Sequence, residues 1–260
     1  MSDRISVRII AARSLLFTVF AAVVLLLSGC AEKEPAGSET QRSYDTAVTE
    51  PTVSNETAAK TQPVINTDWG SEVKGELIDN VYTTGMGGFK LTLDESWNCL
   101  SEEEMAKTMH FDVMENDIQE WYDYCLGEMN TLYDLWAICE DGSSIIISIE
   151  NVSMTDSETK KDEEAYAGIL QIAMRREMDK FGISKSGSVK VSGSDCFWTT
   201  MYGKQGGRSV ERGYLLKMSD DYMMCVNITS VAESEKSCDE MLCMFEGVEG
   251  LEALDSGVSE

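Results

Sequence analysis

The chain has 260 residues, with 21 Lys and Arg against 46 Asp and Glu, a formal charge of −25. That length suits one ordinary domain with extensions. The charge opposes binding to nucleic acid and to anionic lipid headgroups, so the folded part is expected to engage neither.

Residues 1–29 read as an export leader rather than as fold material. Arg4, Arg8 and Arg13 make a basic start, and Leu15 to Leu27 is apolar except for Thr18. Small residues Ser28 and Gly29 precede Cys30, completing the plan of a secretory signal. The apolar block is shorter than the roughly 20 residues a membrane-spanning helix needs. Leu27-Ser28-Gly29-Cys30 resembles a bacterial lipobox. The resemblance implies cleavage between Gly29 and Cys30 and a diacylglyceryl thioether on Cys30. Each buried methylene adds about 0.8 kcal/mol of membrane affinity, so two or more acyl chains anchor stably. The expected partner of Cys30 is therefore the membrane, reached from the extracytoplasmic face. Without the leader the chain keeps 18 basic and 45 acidic residues, a formal −27.

From residue 30 to about residue 80 the composition is Glu, Thr, Ser, Ala and Gln with few apolar residues. All three prolines, Pro35, Pro51 and Pro63, fall here. Such a segment buries too little surface to offset ordering entropy and is expected to be a disordered tether. As a flexible chain of about 50 residues it would span roughly 35–42 Å root-mean-square.

The folded domain is expected over 81–250. Gly85-Met86-Gly87-Gly88 reads as a turn between a short strand and Phe89–Leu93. Ser101-Glu102-Glu103-Glu104 is a capping box that opens a helix. A second helical pattern carries Met114, Ile118, Trp121, Tyr122 and Cys125 on one face. Residues 132–140 and 143–151 form a strand pair turning at Asp141-Gly142. A long helix is expected from Asp162 to Phe181, with Glu163 and Glu164 at the positive end of its dipole. Four strands follow near 187–192, 195–203, 209–218 and 222–230. A last helix, capped by Ser234, ends at Gly247, and 251–260 reads as a flexible tail. Strand runs with helices between them predict an α+β domain, an antiparallel sheet packed under helices.

The stretch Gly88-Phe89-Lys90-Leu91-Thr92-Leu93-Asp94-Glu95-Ser96-Trp97 is similar to the opening of PsbP/DcrB-like domains, although Asp94 stands where that family often has proline. The hairpin, the long helix and the terminal meander follow in the family's order. The resemblance implies an α/β/α sandwich with a central antiparallel sheet. It also implies a non-enzymatic accessory role, and it transfers no catalytic residue and no cofactor.

Seven cysteines follow Cys30: Cys99, Cys125, Cys139, Cys196, Cys225, Cys238 and Cys243. Their spacing matches neither a zinc site nor a disulfide framework, and most stand at apolar strand or helix positions. Buried thiols are the leading expectation, with one or two disulfides as the rival. His110, the only histidine, has no nucleophile frame around it, so no metal and no catalytic residue is expected. Glu115, Asp117, Glu120 and Asp123 read as a solvated helix face rather than a calcium loop. Phe197, Trp198 and Tyr202 alternate along one strand and read as core if helices cover both sheet faces. The expected function is that of a lipid-anchored extracytoplasmic binding or accessory module with a protein or cell-envelope partner. A surface hydrolase or thiol redox enzyme, and a small-ligand receptor for a transporter or sensor, are the alternatives.

Overall fold

The computed structural model describes residues 69–109, 111, 118–154 and 162–254. Gly29, Cys30, His110, Glu115 and Asp117 lie outside these residues, as do 255–260. Five helices are described: α1 (Trp69–Val73), α2 (Glu102–Thr108), α3 (Ile118–Asp123), α4 (Glu163–Glu177) and α5 (Cys238–Leu242). The strands are β1 (Glu76–Ile78), β2 (Val81–Thr83), β3 (Lys90–Thr92), β4 (Trp97–Cys99), β5 (Thr131–Cys139) and β6 (Ser144–Asn151). They continue with β7 (Asp179–Val191), β8 (Ser194–Gln205), β9 (Arg208–Ser219), β10 (Tyr222–Val231) and β11 (Val248–Glu249).

Eight strands form one sheet in the order β11-β7-β8-β9-β10-β6-β5-β4, and β1-β2-β3 form a second, small sheet. Every pairing is antiparallel. The fold is thus the expected α+β layering. The meander from β7 to β10 closes through tight turns. In two of them, Ser192-Gly193 and Gly206-Gly207, both loop residues have positive φ. That geometry matches the right-handed twist of the flanking strands, and glycine adopts it without steric cost.

Both faces of the large sheet are buried. On the front face α1, the small sheet and α5 cover Ile145, Ile147, Ile149, Trp198, Leu215, Val226 and Ile228. The front layer is therefore part sheet, where a helical layer was expected. On the back face α4 covers Met201, Val210, Leu216 and Met223. Helices α2 and α3, with the π-helical turn Tyr124–Glu128 behind α3, cover Tyr133, Trp136 and Ile146.

Several boundaries differ from the sequence expectations. Residues 69–80 are not tether: Trp69 and Val73 are buried, and Trp69 stacks on Tyr222 at 5.6 Å. Two anchoring apolar residues one helical turn apart suffice to dock α1, although the average composition around them is polar. At the other end, Leu251–Ala253 form a 3-10 turn, and Leu251 and Leu254 pack on the front core. Helix α4 begins at its Asp162 cap but stops at Glu177, because the chain turns into β7 at Met178. Phe181 still packs on α4's cluster, from the strand. Ser237, not Ser234, caps α5, through a capping box with Glu240. The box at Ser101 and Glu104 stands as expected.

Asp134 sits at a bulge in β5, where the register slips between Tyr133 and Leu135. Its carboxylate accepts from the Gly75 amide at 2.8 Å and from the Tyr82 hydroxyl. The bulge thus aims one acid at the front layer and fastens the start of the domain to the large sheet. Lys74 completes this fastening by donating to Glu102 and to the Tyr122 hydroxyl, each at 2.8 Å.

Trp198 is fully buried and lies over Gly213 of β9, where an added Cβ would meet the indole well inside contact distance. Its Nε1 donates to Asp239 at 2.9 Å, which orients α5 on the sheet. Gly213→Ala is expected to lower stability by about 1–3 kcal/mol, the range for overpacking a full core. Chemical denaturation reads this directly, and an unchanged midpoint would contradict the described packing.

Candidate functional site

The two apolar clusters on the back face do not meet. Between them run the back-facing residues of β10 and β6. Register pairs Thr229 with Ser144, Asn227 with Ile146, Cys225 with Ser148 and Met223 with Glu150. One side of this seam is bounded by α4 and the other by α2 and α3. Asn227 and Ser148 stand near the middle of central strands yet are only half-buried, while Tyr214 and Ile146 beside Asn227 are buried. Solvent therefore reaches the sheet through a gap in the helical layer. At one end the seam is closed, where the Tyr166 hydroxyl donates to Glu150 at 2.8 Å.

The other end leads to a cluster of buried polar groups. Arg212, opposite Thr229 on β10 and Met201 on β8, is 3% exposed. Its Nη2 donates to Gln205 Oε1 at 3.0 Å. Tyr214, next on the same face of β9, is buried beside Arg212; burial pushes its hydroxyl up to about 12, against the opposing effect of the guanidinium. Glu177, the last residue of α4, adds its carboxylate. Burial raises that carboxyl above the ordinary glutamate range, and the nearby Arg212 charge opposes the rise.

Six buried atoms in this cluster have no hydrogen-bonding partner: Arg212 Nε, Gln205 Nε2, the Tyr214 hydroxyl oxygen, Asn227 Oδ1 and both Glu177 carboxylate oxygens. A buried group left unsatisfied costs about 1–3 kcal/mol. Six of them would rival the whole stability of a domain, about 5–15 kcal/mol. Water entering by the gap at Asn227 satisfies such atoms in an empty cleft, and a ligand with matching groups does so in a filled one. Sequence reasoning missed this site. Its signal was present, since Arg212 shares strand parity with Val210, Tyr214 and Leu216, and Asn227 with Met223 and Cys225.

The residues singled out from sequence are not brought together here. All seven cysteines from Cys99 to Cys243 are free, so the disulfide rival does not appear in the structure. Cys125, Cys196, Cys225 and Cys238 are buried. Burial raises the thiols of Cys196 and Cys225 to about 12 and those of Cys125 and Cys238 further, which suppresses the reactive thiolate. Glu120 and Asp123 lie exposed on α3. Among the described residues no group of three or more potential metal ligands converges. Trp198 is core, and Tyr202, 44% exposed, lies flat across Gly182.

No family model matches the chain, and no curated protein matches it either. Among solved structures it is similar to LpqN of Mycobacterium tuberculosis, described as involved in cell envelope biogenesis. The identity is 12% and the TM-score 0.37, over 62% of this chain and 83% of that one. It is also similar to PA94 of Pseudomonas aeruginosa, a protein of unknown function described as a putative regulator. There the identity is 9% and the TM-score 0.30, over 62% of this chain and 84% of that one. Among the described residues no helix is long and apolar enough to cross a membrane.

The raised Glu177 carboxyl makes stability depend on pH with a defined sign. The unfolded chain releases this proton first, near pH 4.3 for an ordinary glutamate. Stability is then lost as pH rises from there through the higher folded value. Glu177→Gln removes that loss. Its melting temperature relative to wild type is expected to climb across this interval and then level off. A difference constant from pH 4 to 7 (roughly the span of interest) would contradict the burial of Glu177.

Proposed function

We propose that this protein is a lipid-anchored module of the extracytoplasmic face that binds a partner or ligand of the cell envelope and performs no catalysis of its own. The place is carried by Leu27-Ser28-Gly29-Cys30 behind a basic and apolar leader. The binding role is carried by one observation, the solvent-reached polar gap over β10 and β6 between the two apolar clusters of the back face. Monomeric folds rarely keep several buried polar groups unsatisfied unless those groups are used.

The PsbP/DcrB-like resemblance belongs to this reading. Its support is the element order, from the turn before Phe89 to the closing meander. Between Cys30 and Trp69 lie 38 residues. Read as a flexible tether, they span roughly 31–37 Å root-mean-square. Confinement within that radius holds the domain at high local concentration near membrane partners. Against the thiol-enzyme alternative stands the burial of four of the seven thiols. The small-ligand receptor gains from the cleft.

Cells grown with labelled palmitate test the anchor. The wild-type chain is expected to carry label, to sediment with membranes and to be open to protease added outside spheroplasts. Cys30→Ala is expected to lose the label and the mature N-terminus. A Cys30→Ala chain that is processed and retained like wild type would overturn the proposal.

A further inference from the structure

The cleft contains both signs of charge, Arg212 and Glu177, each with hydrogen-bonding atoms left unused, and this restricts what can fill it. Its donors are Arg212 Nε and Gln205 Nε2, its acceptors are the two Glu177 oxygens and Asn227 Oδ1, and the Tyr214 hydroxyl can serve as either. A simple carboxylate seated on Arg212 would stand against Glu177. A simple ammonium seated on Glu177 would stand against Arg212. An uncharged polyol would leave each charge with only the other, imperfectly placed, as its counter-charge. A molecule carrying a carboxylate and an ammonium a few ångströms apart offers acceptors to the donors and donors to the acceptors while matching both charges.

The scale also fits. Arg212 on β9 and Asn227 on β10 are diagonal neighbours on one face of adjacent strands, about 7–8 Å apart by the usual sheet spacing. Glu177 approaches them from the end of α4. Side chains of modest size surround the approach, with Ser148, Thr229 and Ser144 on the floor.

We propose that the cleft binds a compact zwitterion of the α-amino-acid class, its carboxylate on Arg212 and Gln205 and its ammonium on Glu177 and Asn227. This rests on reading the gap as a binding site. The ligand enters beside Asn227 and Ser148, displaces the water there, and closes the charge balance of the cluster.

The test uses the full lipidated chain in detergent. Thermal unfolding is followed with each of the twenty protein amino acids in turn, and with acetate, methylammonium and glucose, at about 10 mM each, where even a weak ligand shifts the midpoint. At least one amino acid is expected to raise the melting temperature, with acetate and methylammonium silent. Titration should show Glu177→Gln, which keeps the side-chain shape, weakening that response about tenfold or more, as loss of a charge-assisted bond does. If the response in Glu177→Gln equals wild type, the assignment is overturned. If acetate alone stabilises as strongly, the site takes carboxylates and the zwitterion is overturned. A response to glucose without any amino acid keeps the cleft as a binding site and overturns the ligand class. Silence throughout overturns both.

Discussion

The large antiparallel sheet has to bury both faces, and the molecule's other features follow from how that is met. A strand buried on two sides needs apolar residues at both parities. β6 approaches this with Ile145, Ile146, Ile147 and Ile149 in near succession. The front face is covered by the small sheet, α1 and α5, which pack with it into one apolar cluster. The back face is covered by two helical blocks that rest on separate clusters. Where the blocks part, the sheet residues turn polar: Ser144, Ser148, Asn227 and Thr229. A continuous helical layer would need apolar residues there, so the polar seam and the gap in the helices are one feature seen from two sides.

The start of the domain is fastened more firmly than the polar composition around it suggests. Trp69 stacks on Tyr222, Lys74 bridges Glu102 and Tyr122, and Asp134 holds the Gly75 amide and the Tyr82 hydroxyl. Asp134 lies largely buried, and that burial raises its carboxyl above the usual aspartate range despite its two donors. Lys74 and Glu102 are each more than 40% exposed at the side chain, so their pair adds little by itself. The apolar docking of Trp69 and Val73 carries the junction, and the charges set its register. Any tension delivered through an N-terminal anchor would meet α1 first.

The sequence makes the regular parts legible because local chemistry dictates them. Asp141-Gly142 turns the β5–β6 pair, the box at Ser101 and Glu104 starts α2, and paired glycines close the β8–β9 hairpin. Other features escape because tertiary contacts decide them. Met178 and Phe181 continue a helical apolar stripe, yet the chain leaves the helix at Met178 so that β7 can pair along β8. The early edge was hidden by averaging, since Trp69 and Val73 sit in a polar window. The cleft was the hardest to read: Arg212 and Asn227 look like scattered polar residues until the register sets them diagonally on one face of neighbouring strands, and Glu177 joins them only through the packing of α4 on the sheet.

The central claim is that Arg212 and Glu177 are kept for what they bind and not for holding the fold. Replacing a buried, poorly satisfied charge pair by apolar residues of similar size is often neutral or stabilising. The direct measurement is thermal unfolding of the double variant Arg212→Met with Glu177→Leu, beside wild type and without added ligand. The account predicts a melting temperature equal to or above that of wild type. A substantially lower one would show that the pair supports the structure itself and would contradict the claim.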